Sequence, residues 1–247
     1  MKTGLTLEQL AAEITRQQSA KEDYVVNTGN LRLESYGPDL TLRVLDSDGA
    51  DRIEPLEIGD IAHRQIGTHL SIPAKYYERM RSEDPGLLAH NVNTWLERTP
   101  AQRMIRVLDG KARAYLSNRY LRMDNYSIAS AVLPILAEIP DVRIESCQIT
   151  DSRMYIKAVN PRLQEDVTPG DTVQAGVVIS NSEVGLGSVN IQPLIYRLVC
   201  SNGMVVNDAA TKRNHIGRAT DAEENFQLYS ETVSYTHLRA HETLRHL

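Results

Sequence analysis

The stretch Met104–Tyr115, MIRVLDGKARAY, decides the fold class. Two alternating runs flank Asp109-Gly110, a dipeptide that readily takes the positive φ angles of a two-residue type I′ turn, so the segment predicts a β-hairpin. With Leu108 opposite Lys111, the register predicts the pairs Val107/Ala112, Arg106/Arg113, Ile105/Ala114 and Met104/Tyr115. Ile105, Val107, Ala112 and Ala114 then form a buried apolar face. The opposite face carries Arg106 against Arg113, with Lys111 and Tyr115 beside them, and like charges opposed across a strand pair repel. An anion or an acidic partner at that face relieves the repulsion.

Outward from the hairpin, the hydrophobic period changes several times. Thr6 and Gln9 make a capping box, after which Leu7, Leu10, Ala11 and Ile14 share one helical face. DYVVNT, LRLESYG and TLRVLDSDGADRIEPL read as short strands joined by turns. From Gly59 the period is helical: DIAHRQIGTHL, then SIPAKYYERMR with Pro73 at a first helical position, then DPGLLAHNVNTWLER with Asp84 as cap and Pro85 behind it. Beyond the hairpin, Asp124 or Asn125 caps a helix along which Ile128, Val132, Ile135, Leu136 and Ile139 share a face and Pro134 introduces a kink. VRIESCQI, RMYIKAVN, TVQAGVVIS and SVNIQPLIYRLVC then read as four strands. Strands, helices, hairpin, helix and sheet in that order predict an α+β fold, with an antiparallel or mixed curved sheet, a β-hairpin and packed helices. One α+β domain is expected over 1–232.

The 247 residues are 41% hydrophobic and 24% charged, which is ordinary globular composition. The net charge of −5 argues against a protein that coats duplex DNA by bulk charge, yet leaves room for a local basic groove. Cys147 and Cys200 make neither a metal-ligand spacing nor a disulfide framework. With no signal-peptide pattern and no long apolar run, a cytoplasmic chain without membrane insertion is expected.

Lys111, Arg113, Tyr115, Ser117, Arg119, Tyr120 and Arg122 interleave cations with rings, a mixture suited to a nucleic-acid strand: guanidinium groups hold phosphates and phenol rings stack on bases. The competing reading is a solvated strand face whose arginines pair with acids. A second basic cluster, Lys212, Arg213, His215 and Arg218 in TKRNHIGR, is either a solvated loop or a phosphate clamp. CSNGM raises a Cys200 nucleophile with His215 as base, but Asn202-Gly203 reads as a hairpin turn and Cys200 as core packing. SNSEVGLGS lacks the spacing of a phosphate loop and reads as a long polar loop. DSDGAD departs from a calcium loop, and His63 and His69 are wrongly spaced for one helical face, so no metal, cofactor or catalytic residue is assigned. DIAHRQIGTHLSIPAKYYERM is weighed as a helix-turn-helix and set aside for a helical cap on the sheet.

LSIPAKYYERM, ARAYLSNRYLRMDN, ISNSEVGLGSVNIQPLIYRLVCSNGMV and RNHIGR together resemble a family catalogued as domain of unknown function 932, over about Leu7 to Thr232. That resemblance implies a phage, plasmid or integrated-element context. At fold level the family is likened to single-strand annealing proteins of recombination, which implies single-stranded DNA as partner and a homo-oligomer. Two other readings stand beside it. One is a nucleotide- or nucleic-acid-processing enzyme using Glu183, His215 and Cys200; the other is a protein-binding factor that blocks a host defence. The end of the chain reads differently: VSYTHLRAHET, Val233–Thr243, resembles a translated sequencing adapter, and His237, His241 and His246 crowd this region. Residues 233–247 are therefore expected to be an artefactual tail on a natural protein whose own C-terminus is cut off near 232.

Overall fold

The computed structural model describes residues 4–168, 170–198, 202–205 and 211–213. They group into two compact units, Ser19–Tyr120 and Met1–Gln18 with Leu121–Leu247. Each unit has its own sheet, helices and core. The α+β class holds.

The Ser19–Tyr120 unit contains strands β1 (Lys21–Asn27), β2 (Leu31–Tyr36), β3 (Asp39–Val44) and β4 (Leu56–Ile58). Three helices follow, α2 (Asp60–His69), α3 (Ala74–Glu83) and α4 (Pro85–Arg98), and then the hairpin strands β5 (Gln102–Leu108) and β6 (Lys111–Ser117). The sheet order is β1-β5-β6-β4-β3-β2, mixed because β4 runs parallel to β6. Ala62 and Ile66 of α2, Tyr77 and Met80 of α3, and Leu88, Val92 and Leu96 of α4 pack with Leu31, Leu33, Leu42, Ile105 and Val107 in one core. Asp84 caps α4 as the sequence predicts, its side chain accepting from Leu87 N at 2.9 Å. Asn93 of α4 closes part of the outer sheet edge: its amide accepts from Leu33 N and donates to Leu33 O, both at 2.8 Å, so that side chain takes the place of a further strand.

The hairpin turn forms as read, with Asp109 at φ 53° and Gly110 at φ 74°. The register does not. Leu108 faces Lys111 and Val107 faces Ala112, but a bulge then shifts the pairing, so Arg106 faces Ala114, Ile105 faces Tyr115 and Met104 faces Leu116. Arg113 is the extra residue on the bulged strand. One inserted residue exchanges the faces beyond it. Tyr115, expected on the polar face, joins Ile105, Val107 and Ala112 in the core, while Ala114 is buried opposite Arg106. The predicted Arg106/Arg113 opposition is thus overturned. Arg106 is fully buried and faces Asp23 of β1 instead; its Nε donates to Asp23 Oδ1 at 2.8 Å and its Nη2 to Oδ2 at 3.1 Å.

The other unit holds α1 (Leu7–Ala20), the greater part of which belongs here, and α5 (Asn125–Glu138). Its strands are β7 (Arg143–Ile149), β8 (Met154–Thr168), β9 (Asp171–Asn181), β10 (Val189–Arg197), β11 (Asn202–Val205) and β12 (Thr211–Arg213). Its sheet is antiparallel, in the order β11-β10-β9-β8-β7, with β12 also pairing with β10. The Thr6/Gln9 capping box forms reciprocally, with Thr6 N donating to Gln9 Oε1 and Gln9 N to Thr6 Oγ1. Leu10 and Ile14 of α1 and Ile128, Val132 and Leu136 of α5 pack on Met154, Ile156, Val177 and Ile179. Helix α5 continues through Pro134. Asn202 and Gly203, read from sequence as a hairpin turn, lie inside β11 opposite Arg197 and Tyr196.

Candidate functional site

The clearest concavity among the described residues lies within the Ser19–Tyr120 unit, and its shape begins with how α2 ends. The chain leaves the helix in a Schellman motif: Ile72 N donates to Gly67 O at 2.9 Å and Ser71 N to Thr68 O at 3.2 Å. That motif needs a left-handed residue, and Ser71 takes φ 57° where glycine is the unstrained choice. Ser71→Gly is therefore expected to stabilise the unit by about 1 kcal/mol. Denaturant titration followed by emission of Trp95, the chain's single tryptophan, measures it. A lower stability for the variant would mean that the Ser71 side chain itself holds the turn.

Past this turn, the Leu70–Pro73 connection, Tyr76 of α3, and Asn91, Trp95 and Thr99 in or just after α4 line an open cavity of about 450 Å³ that also takes in His69. Tyr76 is 46% exposed and Trp95 41% exposed. The Arg98 guanidinium lies 5.6 Å from the Trp95 ring centroid, and Lys75 is exposed beside Tyr76.

His69 is fixed from behind. Its Nδ1 and the Tyr115 hydroxyl are 2.8 Å apart, Tyr115 N donates to Gln65 Oε1 at 2.8 Å, and the Arg103 guanidinium sits 5.7 Å from the Tyr115 ring centroid. Burial, with the Arg103 charge as a lesser cause, pushes the His69 pKa down to about 4, so the imidazole is neutral at pH 7. Burial also pushes the Tyr115 hydroxyl pKa well above its ordinary value. With Nδ1 engaged, Nε2 is the nitrogen of His69 that makes no hydrogen bond among the described residues. His63 forms a similar but fully interior pair, its Nδ1 2.9 Å from the Tyr77 hydroxyl. Gly67 lets that tyrosine approach, because a Cβ there would stand 2.9 Å from the ring.

Within the Ser19–Tyr120 unit the residues nominated from the sequence occupy different surroundings. Arg106 and Tyr115 are buried; Lys111 is paired with Glu57; Arg113 sits on the bulge, half-buried. Arg119 is exposed and Tyr120 half-buried at the end of the Ser19–Tyr120 unit, and Arg122 is exposed at the start of the next segment. Lys212 and Arg213 lie in β12 opposite Asn190 and Val189. His215, Arg218, Cys200 and residues 233–247 lie outside the described residues. Glu183, nominated for catalysis, is buried and acts as a remote helix cap: its Oε1 accepts from Asn125 N at 2.6 Å, at the start of α5. Asn181 supports the same helix start, donating to Met123 O and Asn125 Oδ1 at 2.9 Å each. Among the described residues no group of three or more metal-ligating side chains occurs, and no helix is long and apolar enough to cross a membrane.

Fold and cavity together define a two-unit α+β protein with an aromatic-lined cavity in the unit that precedes its antiparallel sheet. The chain belongs to the family described as domain of unknown function DUF932, whose profile matches residues 114–243. The matched span begins in β6, so the α2–α4 face precedes it, and it runs into the segment that the sequence reading sets apart as a tail. No curated protein and no solved structure matches the chain.

Proposed function

We propose that the protein binds single-stranded nucleic acid, and that Tyr76 and Trp95 are the stacking surface. The observation carrying this reading is the pair of large rings left half-exposed at one open cavity, with the Arg98 guanidinium against Trp95 and the exposed Lys75 preceding Tyr76 on α3. Leaving a large apolar side chain in water forgoes much of the ~1.5–3 kcal/mol that its full burial contributes. Rings and adjacent cations are what a sequence-tolerant single-strand groove uses, with stacking contributing about 1–3 kcal/mol per base. The annealing role in mobile-element recombination and the homo-oligomer that the family resemblance implies belong to the same proposal. The exposed Arg119 of the same unit is a further phosphate contact in it.

The test is quenching of Trp95 emission by oligodeoxythymidylate and by duplex DNA over a series of salt concentrations. Tyr76→Ala is expected to weaken single-strand binding by about 1–3 kcal/mol with the salt slope unchanged. Lys75→Ala with Arg98→Ala is expected to lower the magnitude of that slope by about 1.4, at ~0.7 for each phosphate contact. Absence of quenching and of any gel shift at low salt would overturn the reading.

A further inference from the structure

We propose that the cavity takes one unstacked nucleobase, with Trp95 and Tyr76 as its stacking walls and His69 and Asn91 hydrogen-bonding to its edge, so that this site reads base identity. The inference deepens the single-strand reading and rests on it for the strand's backbone, though not for the base itself.

A bare stacking platform needs only rings and cations, and this cavity has more. Its volume of about 450 Å³ lies in the range of small-molecule sites, which combine apolar walls with a few placed polar groups. His69 is such a group. Tyr115, itself held through Gln65, fixes the imidazole at Nδ1, which leaves Nε2 as the nitrogen able to meet a ligand. Its neutrality at pH 7 makes it a poor phosphate ligand and a good partner for a base edge. Asn91 is the second. Its amide makes one side-chain hydrogen bond among the described residues, a weak one from Nδ2 to Met80 Sδ at 3.8 Å. Side-chain amides suit base edges because they offer a donor and an acceptor side by side. The third feature is strain: Ser71, also lining the cavity, holds a left-handed backbone that costs stability and shapes the wall. The charged groups nearby, Lys75 and Arg98, remain for phosphates.

The same ring could come from a free nucleoside or from a strand, and Trp95 emission separates the two. The four nucleosides and four homopolymeric oligonucleotides are titrated into the full chain, together with one oligonucleotide of abasic sites. One base is expected to bind at least 5-fold better than the others in both series, and the abasic strand is expected not to quench. Asn91→Ala is expected to erase that preference, by about 5-fold or more, the discrimination of one good edge contact. His69→Gln should change which base is preferred, and Tyr76→Ala should weaken all bases alike. Far-UV circular dichroism establishes that each variant is folded, and Asn91→Ala alone decides the matter if His69→Gln is not. Equal binding of all four homopolymers, or a preference that survives both edge variants, overturns base reading and leaves the single-strand proposal standing. Quenching by nucleosides but by no strand supports the base site and overturns the single-strand proposal. Quenching by neither overturns both.

Discussion

Arg106→Ala is expected to destabilise the Ser19–Tyr120 unit by about 3–5 kcal/mol, the cost of leaving one partner of a buried ion pair uncompensated. The guanidinium is wholly buried and the Asp23 side chain is only 10% exposed, so water cannot replace the lost hydrogen bonds at the carboxylate. The two residues are direct neighbours on β1 and β5, and truncation strikes the pairing that attaches β1 to the sheet. Denaturant unfolding followed by Trp95 emission reports on this unit alone, because the single tryptophan lies in α4. The double replacement Asp23→Leu with Arg106→Met should recover most of the loss, since a buried pair exchanged for apolar groups of similar volume is often neutral. A stability change under about 1 kcal/mol in Arg106→Ala, accompanied by loss of oligonucleotide binding, would return the arginine to the ligand-binding role first read from the sequence.

That arginine shows where the sequence stops being legible. The turn at Asp109-Gly110, the cap at Asp84 and the Thr6/Gln9 box are each set by residues within four positions of one another, and each forms as read. The bulge is a property of the strand pair and leaves no mark in MIRVLDGKARAY: both registers offer alternating apolar residues, because Ala114 and Tyr115 can each be buried. The acid that decides the matter stands in β1, before three strands and three helices intervene, and no local period reports that β1 will pair with β5. The cavity was hidden for another reason. Trp95 follows Leu88 by seven residues, two helical turns, and so reads as part of the Leu88 and Val92 stripe, yet it is 41% exposed and lines the cavity with Ser71. Tyr76 gave no clearer signal: it precedes Met80 by four residues and so reads as part of the Tyr77/Met80 face, yet it is 46% exposed. Glu183 lies in a stretch that reads as a polar loop, and its carboxylate serves a helix start 58 positions away, a partner that no local pattern reports.

Gly176→Ala is expected to cost at least about 3 kcal/mol, the upper end of what overpacking usually costs. Gly176 lies in β9, hydrogen-bonded between β8 and β10, opposite Val159 on one side and Leu194 on the other. A Cβ there would come to 2.3 Å from the Ala158 carbonyl oxygen, with Val159 Cγ1 at 3.1 Å and Val159 Cα at 3.2 Å. A side-chain tip can rotate away, but a carbonyl within a sheet moves only with its strand, and β8 is held by β7 on its far side. Contrast Gly67, whose nearest neighbour is a tyrosine ring: there the added methyl displaces a side chain and the backbone can stay in place. Amide hydrogen exchange across β8–β10 measures the loss locally, since Trp95 lies in the other unit. Adding Val159→Ala tests the cause. It removes the 3.1 Å contact and leaves the carbonyl where it was, so the double variant is expected to be no more protected than Gly176→Ala alone. Recovery of protection in the double variant would locate the conflict in the valine side chain and show that the β8 backbone tolerates the methyl.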